Sequence, residues 1–464
     1  MSGKPLKFYK TLILVVWFFP GFFYVGSAQS PVINILSNTT PAEGYIFLAS
    51  LHFNNAHPND LLILDKNGTI VVDKVFPGTF DSNYADFKPQ TRNRFSFFNP
   101  KTKCFYLLDR FLNISDSIVA GNGFSTDSHE LLITNDEHYF LIASETRTIN
   151  MSLLVAGGKV NASVKGTVVQ ELDSARNVLF EWKSLDYLPV TDCKGQNLTA
   201  LSIDYIHTNS LFLDSDSTLI MSNRHLNELT KINRKTGVII WRMGKNANAN
   251  QFTFVNDSLG FSYQHHARLL PNGNLTLFDN GNFRANGIKY SRACEYKMDE
   301  ATKTATLVWY YRNTPDNISR AMGSVQRLAN GNTLIDWGVS YPNVTEVDAN
   351  NTKVFEMSFQ PSTTMYSYRA VKVEMQLDVF TGISQNGMSG DRSLAIYPNP
   401  NRGEFTLRIG SSEPAQVAIY NMLGELVSSK EMRTEESFYD LPKGIYTVVV
   451  TGAEFHFQKK MVVY

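Results

Sequence analysis

Histidine side chains recur at related positions along this chain, and they are the residues best suited to chemistry near neutral pH. His129, His207 and His265 each stand just ahead of a stretch in which two short apolar runs flank a polar turn. His225 follows one of these stretches, directly after Arg224. Neutral imidazole is a competent nucleophile, and a second imidazole can donate or accept a proton. The pattern therefore predicts a site in which several histidines act on one substrate.

Arg224 and Asn209 belong to the same part of the pattern as His207. A guanidinium and an amide supply hydrogen-bond donors for oxygens that become more negative as a leaving group departs. Together with the histidines, they suit the transfer of an anion that carries three oxygens. The alternative for each histidine is a structural hydrogen bond, and the alternative for Arg224 is an ion pair on the surface.

The segments that contain these residues are predicted to be β-hairpins. A unit of strand, polar turn and strand occurs as LLILDKNGTIVV (61–72), FFNPKTKCFYLL (97–108), ELLITNDEHYFLIA (130–143), LFLDSDSTLIMSNRH (211–225), RLLPNGNLTLFDNG (268–281) and QRLANGNTLIDWG (326–338). The last three copies start 57 or 58 residues apart, and a body of about 346 residues divides into close to six such units.

Repetition at a fixed period is typical of propellers and solenoids. The sequence therefore predicts an all-β chain with a six-bladed β-propeller over residues 30–376. The alternatives are a double β-sandwich and a parallel β-helix, although the period is too long for the rungs of a β-helix. In a propeller, equivalent positions on the inner strands face one axis. His129, His207, Arg224 and His265 are therefore predicted to converge at one mouth of the channel.

Residues 1–28 have the pattern of a secretory signal peptide. Three lysines precede an apolar run (11–23), and small residues at 26 and 28 precede a mature start near Gln29. The alternative is a membrane anchor, but the apolar run is shorter than the roughly 18–20 residues that a span needs.

The overall composition excludes some classes of partner and site. With 43 basic and 43 acidic residues the chain has no net charge, so nucleic acid is not predicted as a partner. Cys104, Cys193 and Cys294 allow one disulfide and leave one thiol over. None of them lies in a CxxC motif or a Cys/His cluster, so no metal site is predicted.

The C-terminal segment, residues 393–464, differs from the body and follows a loose linker (377–392). SLAIYPNPNRGEFTLRI, VAIYNMLGELV, LPKGIYTVVV and FQKKMVVY are period-2 strands separated by turns, which predict a small β-sandwich. The segment resembles the C-terminal sorting domain of type IX secretion in Bacteroidetes. The resemblance implies that the type IX machinery moves the protein through the outer membrane, to be released or attached to the surface. The alternative is a generic β binding module.

Several motifs of the body resemble the arylsulfotransferase family, from about Asp127 to Val373. They are YIHTNS, SNRH…KINRKTGVIIWRMG, QHHARLLPNGNLTLFDNG, EYKMDEATKTATLVWYY and VQRLANGNTLIDWG. The resemblance implies a six-bladed propeller that moves a sulfuryl group from an aryl sulfate to a phenol without a nucleotide donor. In agreement, the sequence has no GxxxxGK[ST] motif, and no cofactor is predicted.

The resemblance also implies roles for single residues. His265 matches the family's histidine that becomes transiently sulfated. His207 and Asn209 match the pair that holds the sulfuryl oxygens and the phenolic oxygen. Arg224 matches the sulfate-binding arginine, and His129 matches the remaining site histidine.

His266 is a departure from the family pattern, in which Asp or Thr is common after QH. Two adjacent imidazoles could exchange roles, or their mutual repulsion could lower one pKa. His266 is therefore predicted to contact substrate next to the nucleophile His265. Two other functions remain open beside sulfuryl transfer, namely a non-catalytic binding propeller and a hydrolase that uses water as the acceptor.

Overall fold

The structure is a computed structural model that describes residues 30–52, 60–76, 84–284, 289–360, 365–375, 377, 394–409, 413–421, 425–452 and 456–464. The predicted signal peptide lies outside the described residues, as does the predicted linker apart from Leu377. The described residues form one α-helix, Ser184–Tyr187, and short 3-10 turns at Met151–Leu153, Val190–Asp192 and Arg224–Leu226. None of the helices in the described part of the chain has the length and apolar character needed to cross a membrane. The prediction of an all-β chain is confirmed.

The strands are numbered in chain order. The first half of the body contains β1 (Val32–Asn38), β2 (Tyr45–Ala49), β3 (Leu51–His52), β4 (Leu61–Leu64), β5 (Ile70–Lys74), β6 (Ala85–Gln90), β7 (Arg94–Asn99), β8 (Cys104–Leu108), β9 (Ile114–Ile118), β10 (Ser125–Ile133), β11 (Tyr139–Ile149), β12 (Ala162–Leu172), β13 (Val178–Lys183) and β14 (Ser202–Asp204). The second half contains β15 (Thr208–Leu213), β16 (Thr218–Asn223), β17 (Glu228–Asn233), β18 (Ile239–Met243), β19 (Thr253–Val255), β20 (His265–Leu269), β21 (Asn274–Asp279), β22 (Arg292–Asp299), β23 (Thr304–Tyr311), β24 (Ser324–Arg327), β25 (Thr333–Asp336), β26 (Val344–Val347), β27 (Lys353–Gln360), β28 (Met365–Tyr366) and β29 (Val371–Val373). The C-terminal part contains β30 (Leu394–Tyr397), β31 (Phe405–Ile409), β32 (Ala415–Asn421), β33 (Leu426–Met432), β34 (Glu435–Phe438), β35 (Gly444–Gly452) and β36 (His456–Val463).

Antiparallel sheets of four strands follow one another along the body. Their orders are β29-β2-β4-β5, β6-β7-β8-β9, β10-β11-β12-β13, β15-β16-β17-β18, β20-β21-β22-β23 and β24-β25-β26-β27. Three sheets gain one more strand, since β14 pairs with β12, β19 with β23 and β1 with β27. We call β29, β6, β10, β15, β20 and β24 the inner strands.

Neighbouring sheets contact each other through their inner strands or, in the first sheet, through the adjacent strand β2. Strand β2 contacts β6, β6 contacts β10, β10 contacts β15, β15 contacts β20, and β20 contacts β24. The last sheet returns to the first, because Ser324 Oγ donates to the carbonyl oxygen of Ala370 at 3.1 Å and Gln326 Nε2 to that of Lys372 at 2.8 Å. This propeller-like arrangement sets the beginnings of the inner strands close to one another.

Four of the predicted repeat copies occupy equivalent places, as the first two strands of their sheets, and two do not. The segment 61–72 covers β4 and β5, the last two strands of the first sheet, because the inner strand of that sheet comes from the end of the body. The segment 97–108 covers parts of β7 and β8. The inner strand of this second sheet, β6, reads ADFKPQ and is too polar to resemble the other copies.

The core lies between neighbouring sheets. Leu275 and Leu277 of β21 pack with Ile220 of β16, Leu229 of β17 and Trp241 of β18, which joins the fourth sheet to the fifth. Burying each aliphatic side chain of this kind contributes about 1.5–3 kcal/mol relative to exposure. The alternating apolar residues of each strand therefore hold the ring of sheets together.

The cysteines differ from one of the expectations. Cys104, Cys193 and Cys294 are all free thiols, and the latter two are buried. The disulfide that their number allowed is therefore not present in the structure.

The C-terminal part forms two sheets, β30-β31-β34 and β33-β32-β35-β36. One hydrophobic cluster joins them, with Phe405 and Leu407 from the first sheet and Val417, Val448 and Met461 from the second. This part has a core of its own, separate from the clusters of the body.

Candidate active site

The predicted histidines lie on or next to three consecutive inner strands. His129 is the middle residue of β10, His207 directly precedes β15, and His265 is the first residue of β20. Arg224 begins the 3-10 turn that follows β16, and its backbone N–H donates to the carbonyl oxygen of His207 at 3.1 Å. His207 has a φ of 52°, a conformation that is uncommon for residues other than glycine and often marks functional sites.

His129 and His207 each form a pair with a carboxylate. Nδ1 of His129 contacts the carboxylate of Asp127, and Nδ1 of His207 lies 2.7 Å from Oδ2 of Asp204. The centroids of the two imidazole rings are 4.9 Å apart. None of the described residues forms a hydrogen bond with Nε2 of either histidine. Both rings are therefore oriented through Nδ1 and keep Nε2 for another partner.

The electrostatics of these pairs favour ionised carboxylates and a neutral His207. Burial opposes ionisation of Asp127, but the adjacent His129 holds the pKa of that carboxyl below its usual range. Burial lowers the pKa of His207, and the nearby charges of His129 and Arg224 lower it further, against the opposing effect of Asp204. His207 is therefore ready to accept a proton near neutral pH.

Arg224 is held by contacts that leave its charge without a carboxylate. Its Nη2 donates to the carbonyl oxygen of Arg320 at 3.0 Å, and its guanidinium carbon lies 3.9 Å from the centroid of the Tyr263 ring. Its Nη1 lies 2.6 Å from Nε2 of His225. Its Nε is buried and has no partner. Among the described residues, no carboxylate lies within ion-pair distance of Arg224, so this cation is available to an anion.

The protonation of His225 follows from its two contacts. Nδ1 lies 2.6 Å from the carbonyl oxygen of Asp204, which can only accept, so Nδ1 carries the proton. Nε2 then accepts from Arg224. Burial, and then the charge of His207, lower the pKa of His225 to about 4. His225 is thus a neutral support for Arg224.

His265 has a tautomer that is fixed in the same way. Its Nδ1 lies 2.7 Å from Oδ1 of Asn280 and 3.0 Å from the carbonyl oxygen of Tyr263. The amide of Asn280 is oriented by two donations from its Nδ2, to the carbonyl oxygens of Ser319 and Met322 at 2.9 and 3.0 Å. Nδ1 of His265 therefore carries the proton, and Nε2 has the lone pair.

The lone pair of His265 accepts a weak hydrogen bond from the backbone. The N–H of Met322 lies 3.2 Å from Nε2. The next residue, Gly323, has a φ of 103°, and a Cβ there would lie 2.5 Å from the Phe278 ring, so the turn that carries this N–H requires glycine. Burial, and then Arg224, hold the pKa of His265 well below its usual range, with further lowering by His129 and His207.

The structure does not bring His266 to this site. Its Nδ1 lies 3.1 Å from the carbonyl oxygen of Val325, and the charges that lower its pKa, after burial, are those of Arg268 and Arg369. His266 has a φ of 53° at an irregularity in the pairing of β20 with β21, and its side chain has surroundings different from those of His265. The low pKa of His265 comes from burial and Arg224 rather than from a second imidazole next to it.

Asn209 lies at the site with part of its amide already used. Its Nδ2 donates to the carbonyl oxygen of Gln264 at 2.8 Å, while its Oδ1 is buried and has no partner. The unsatisfied atom is an acceptor, which fits a ligand hydroxyl better than a sulfuryl oxygen.

Asp204, His207 and His225 offer atoms within 4.8 Å of one another that could in principle bind a metal ion. Both nitrogens of His225 are already used, and Nε2 faces the positive charge of Arg224. The set therefore fits a cation poorly.

A comparison with protein families decides the identity of the body. The model described as Arylsulfotransferase (ASST) matches residues 30–369, most of the chain. The chain belongs to the arylsulfotransferase family. The prediction from the sequence motifs is confirmed, and the family match includes the N-terminal third of the body, in which those motifs were weak.

Two characterised arylsulfotransferases are related to parts of the chain. The arylsulfate sulfotransferase AssT of Escherichia coli O6:H1 is 28% identical over 226 residues, which cover 42% of this chain and 36% of that protein. The AssT of Lelliottia amnigena is 44% identical over 63 residues, covering 12% of this chain and 10% of that protein. The chain thus spans about a third of the length of the first and a tenth of the second.

Among solved structures, a protein of unknown function from Bacteroides caccae aligns with a TM-score of 0.45 and 9% identity, covering 72% of this chain and 100% of that one.

The C-terminal part also belongs to a known family. The model described as Secretion system C-terminal sorting domain matches residues 395–464. This confirms the second resemblance. The domain indicates export across the outer membrane, to be secreted or attached to the surface.

The residues that orient the side chains of this candidate site were not predicted from the sequence. Asp127 and Asp204 lie two and three residues before their histidines, so an Asp-x-His and an Asp-x-x-His spacing could have indicated them. Tyr263 lies two residues before His265, and Asn280 directly follows β21, the strand that pairs with β20. No local pattern marks these two residues.

Proposed function

We propose that this member of the arylsulfotransferase family is an exported aryl-sulfate sulfotransferase that works through a sulfo-histidine intermediate. One observation carries the proposal. Arg224 is a half-buried cation that forms no ion pair with a carboxylate of the described residues, and it lies close enough to His265 to lower the pKa of that histidine. A buried charge of this kind requires an anionic partner. His265 has a lone pair on Nε2 and stays neutral, as a nucleophile must.

In the first step, Nε2 of His265 attacks the sulfur of ArO–SO₃⁻. The N–S bond forms while the bond between sulfur and the phenolic oxygen breaks, and the electron pair of that bond leaves with the phenolate. His207 or His129 first takes up a proton from solvent on Nε2, gives this proton to the phenolate and returns to its neutral form. Arg224 binds the sulfuryl oxygens, whose negative charge increases during the transfer.

Attack requires that Nε2 of His265 leave its hydrogen bond with Met322. That bond is long, at 3.2 Å, and is therefore weak. The released N–H then becomes a donor for a sulfuryl oxygen next to the new N–S bond. Asn280 keeps the proton on Nδ1 throughout this step.

In the second step, the oxygen of an acceptor phenol attacks the sulfur and its proton passes to the same His207 or His129. The N–S bond breaks and its electron pair returns to Nε2 of His265. The free Oδ1 of Asn209 orients the hydroxyl of the acceptor. Two successive displacements need one binding site, and the kinetics are ping-pong.

The finer architecture belongs to the same proposal. We propose a six-bladed β-propeller over residues 30–376 and a small β-sandwich over 393–464, after a signal peptide (1–28) and a linker (377–392). The support for the six blades is the sequence of four-stranded sheets whose inner edges touch in turn. The support for the sandwich is the core that the two C-terminal sheets share.

The test uses the mature full-length protein with para-nitrophenyl sulfate, with and without phenol. We expect phenyl sulfate in the presence of phenol, and one added SO₃ on the protein in an intact mass spectrum taken before phenol is added. Release of free sulfate at the same rate without phenol would indicate a hydrolase instead. If several aryl sulfates give neither an adduct nor a product, the protein is a binding propeller and not an enzyme of this kind.

A further inference from the structure

A second cavity lies farther along the inner strands than the histidine site. Its volume is about 300 Å³, at the lower end of the range for small-molecule sites. Leu132 of β10 and Leu270 after β20 lie in its wall, three and five residues beyond His129 and His265. The cavity and the histidine site are therefore separate places on the same strands.

Buried charged side chains lie between the cavity and the histidine site. Lys88 contacts Asp86 at 2.7 Å and also the carboxylate of Glu130. Arg268 lies 2.6 Å from Glu130, and Arg369 lies 2.8 Å from both Asp86 and Glu130. Three cations thus face two carboxylates, which leaves one positive charge in excess. Burial also raises the pKa of Asp86, which favours its neutral form and increases the excess.

The side chains that line the cavity also carry more positive than negative charge. Lys88, Arg268 and Arg369 all line it, and Glu130 is the one carboxylate among the described residues that do so. Arg327 also lines it, but its charge is neutralised by Glu295 at 2.7 Å. A buried excess charge is costly unless a counter-ion is present.

His266 supplies an independent sign of a ligand. Its side chain lines the cavity and only 6% of the residue is exposed. Nδ1 interacts with the backbone of Val325, at 3.3 Å from the nitrogen and 3.1 Å from the oxygen. Among the described residues, Nε2 has no hydrogen-bond partner. Buried polar atoms of this kind are nearly always satisfied, and here the cavity is the remaining place for a partner.

We propose that the cavity is a second binding site, which takes a small organic carboxylate. The carboxylate lies against Arg268 and Arg369. In this complex Nδ1 of His266 accepts from the backbone N–H of Val325 at 3.3 Å, so the single proton of the neutral ring is on Nε2 and is donated to the carboxylate. The apolar body of the ligand packs on Leu132, Leu270 and Val371, which line the remaining wall. The site is distinct from the proposed sulfuryl-transfer site and does not depend on it.

The site also has a physical connection to the histidines. Arg369 Nη2 donates to the carbonyl oxygen of His129 at 3.3 Å, and the hydroxyl of the adjacent Tyr368 donates to that of Asn209 at 3.0 Å. A ligand that binds Arg369 therefore contacts a residue that also forms a hydrogen bond with the backbone of the histidine site.

Calorimetric titration of the mature full-length protein with benzoate tests the proposal. We expect one benzoate per chain, weaker binding at high salt, and no binding of neutral benzyl alcohol. His266→Leu removes a hydrogen bond to a charged group, and we expect its affinity to fall about ten-fold or more. Leu270→Trp fills the cavity from its partly exposed edge and should abolish binding. Asn272→Trp, in the exposed turn of the same hairpin, is the matched control and should bind normally.

Arg224→Gln separates this site from the histidine site. Benzoate binding should survive this substitution, whereas sulfuryl transfer should not. Loss of binding in Arg224→Gln with normal binding in His266→Leu would assign the anion to the histidine site and overturn the proposal. Equal binding of inorganic sulfate, equal binding of benzyl alcohol, or the absence of saturable binding at millimolar benzoate would also overturn it.

Discussion

Replacing Arg224 should remove most of the sulfuryl-transfer activity while leaving substrate binding less affected. The structure shows how its donors are divided. One N–H of Nη1 is used by His225 and one of Nη2 by the carbonyl oxygen of Arg320, while Nε has no partner among the described residues. The loss of one preorganised donor to a developing charge lowers kcat by about 100- to 1000-fold. We therefore expect a loss of this size in kcat for Arg224→Gln, with a smaller change in KM.

Arg224→Lys tests whether charge alone is sufficient. An ammonium keeps the positive charge but cannot contact both His225 and a sulfuryl oxygen with fixed geometry, so we expect its activity to lie between that of the parent and that of Arg224→Gln. The assay is release of para-nitrophenolate in a single turnover, which reports on donor cleavage alone. Arg312→Gln is a matched control, because Arg312 forms an exposed ion pair with Asp316. A single-turnover rate within a few-fold of the parent in Arg224→Gln would refute the reasoning.

Further predictions concern the nucleophile, acid stability and export. His265→Ala should lose both the SO₃ adduct and turnover, whereas His266→Ala should keep the adduct; the reverse result in mass spectra would reassign the nucleophile. The pKa of His225 falls from 6.5 to about 4 in the folded protein, so the unfolded chain binds the proton first as pH decreases. The parent should therefore lose about 3 kcal/mol more stability than His225→Gln between pH 7 and pH 4 in urea unfolding, and equal losses would contradict this account. Deleting Tyr397 to Tyr464 should leave a folded body in the periplasm, and normal secretion of the truncated protein would exclude a sorting role.

The all-β fold and the recurring hairpins were accessible from the sequence because strand alternation and turn residues are local signals. The two misplaced copies show the limit of that approach. Strand β29 joins the first sheet from the far end of the body, and the polar sequence of β6 hides an inner strand. Neither the distant partner of the first sheet nor the inner position of β6 can be predicted from a short stretch of sequence.

The site was partly accessible for the same reason. His129, His207 and His265 stand at related places in their hairpins, and the structure sets them on or directly before consecutive inner strands. The structure places His266 at a different cavity from His265, and its positive φ at an irregularity of β20 has no sign in the sequence. Asn280 follows β21, the strand that pairs with β20, whereas Arg369 comes from the far end of the body, so its contact with Glu130 exists only in the folded chain.

The pairing of β1 with β27 has a consequence for how the chain is made. Val32 lies opposite Gln360, so β1, the first strand of the described residues, has its partner among the last strands of the body. Contacts of such high sequence separation slow folding, because a long loop must close before they form. The ring therefore cannot close during synthesis until nearly the whole body is available. The growing chain exposes an unpaired sheet edge for most of that time, which is when it is most in need of a chaperone.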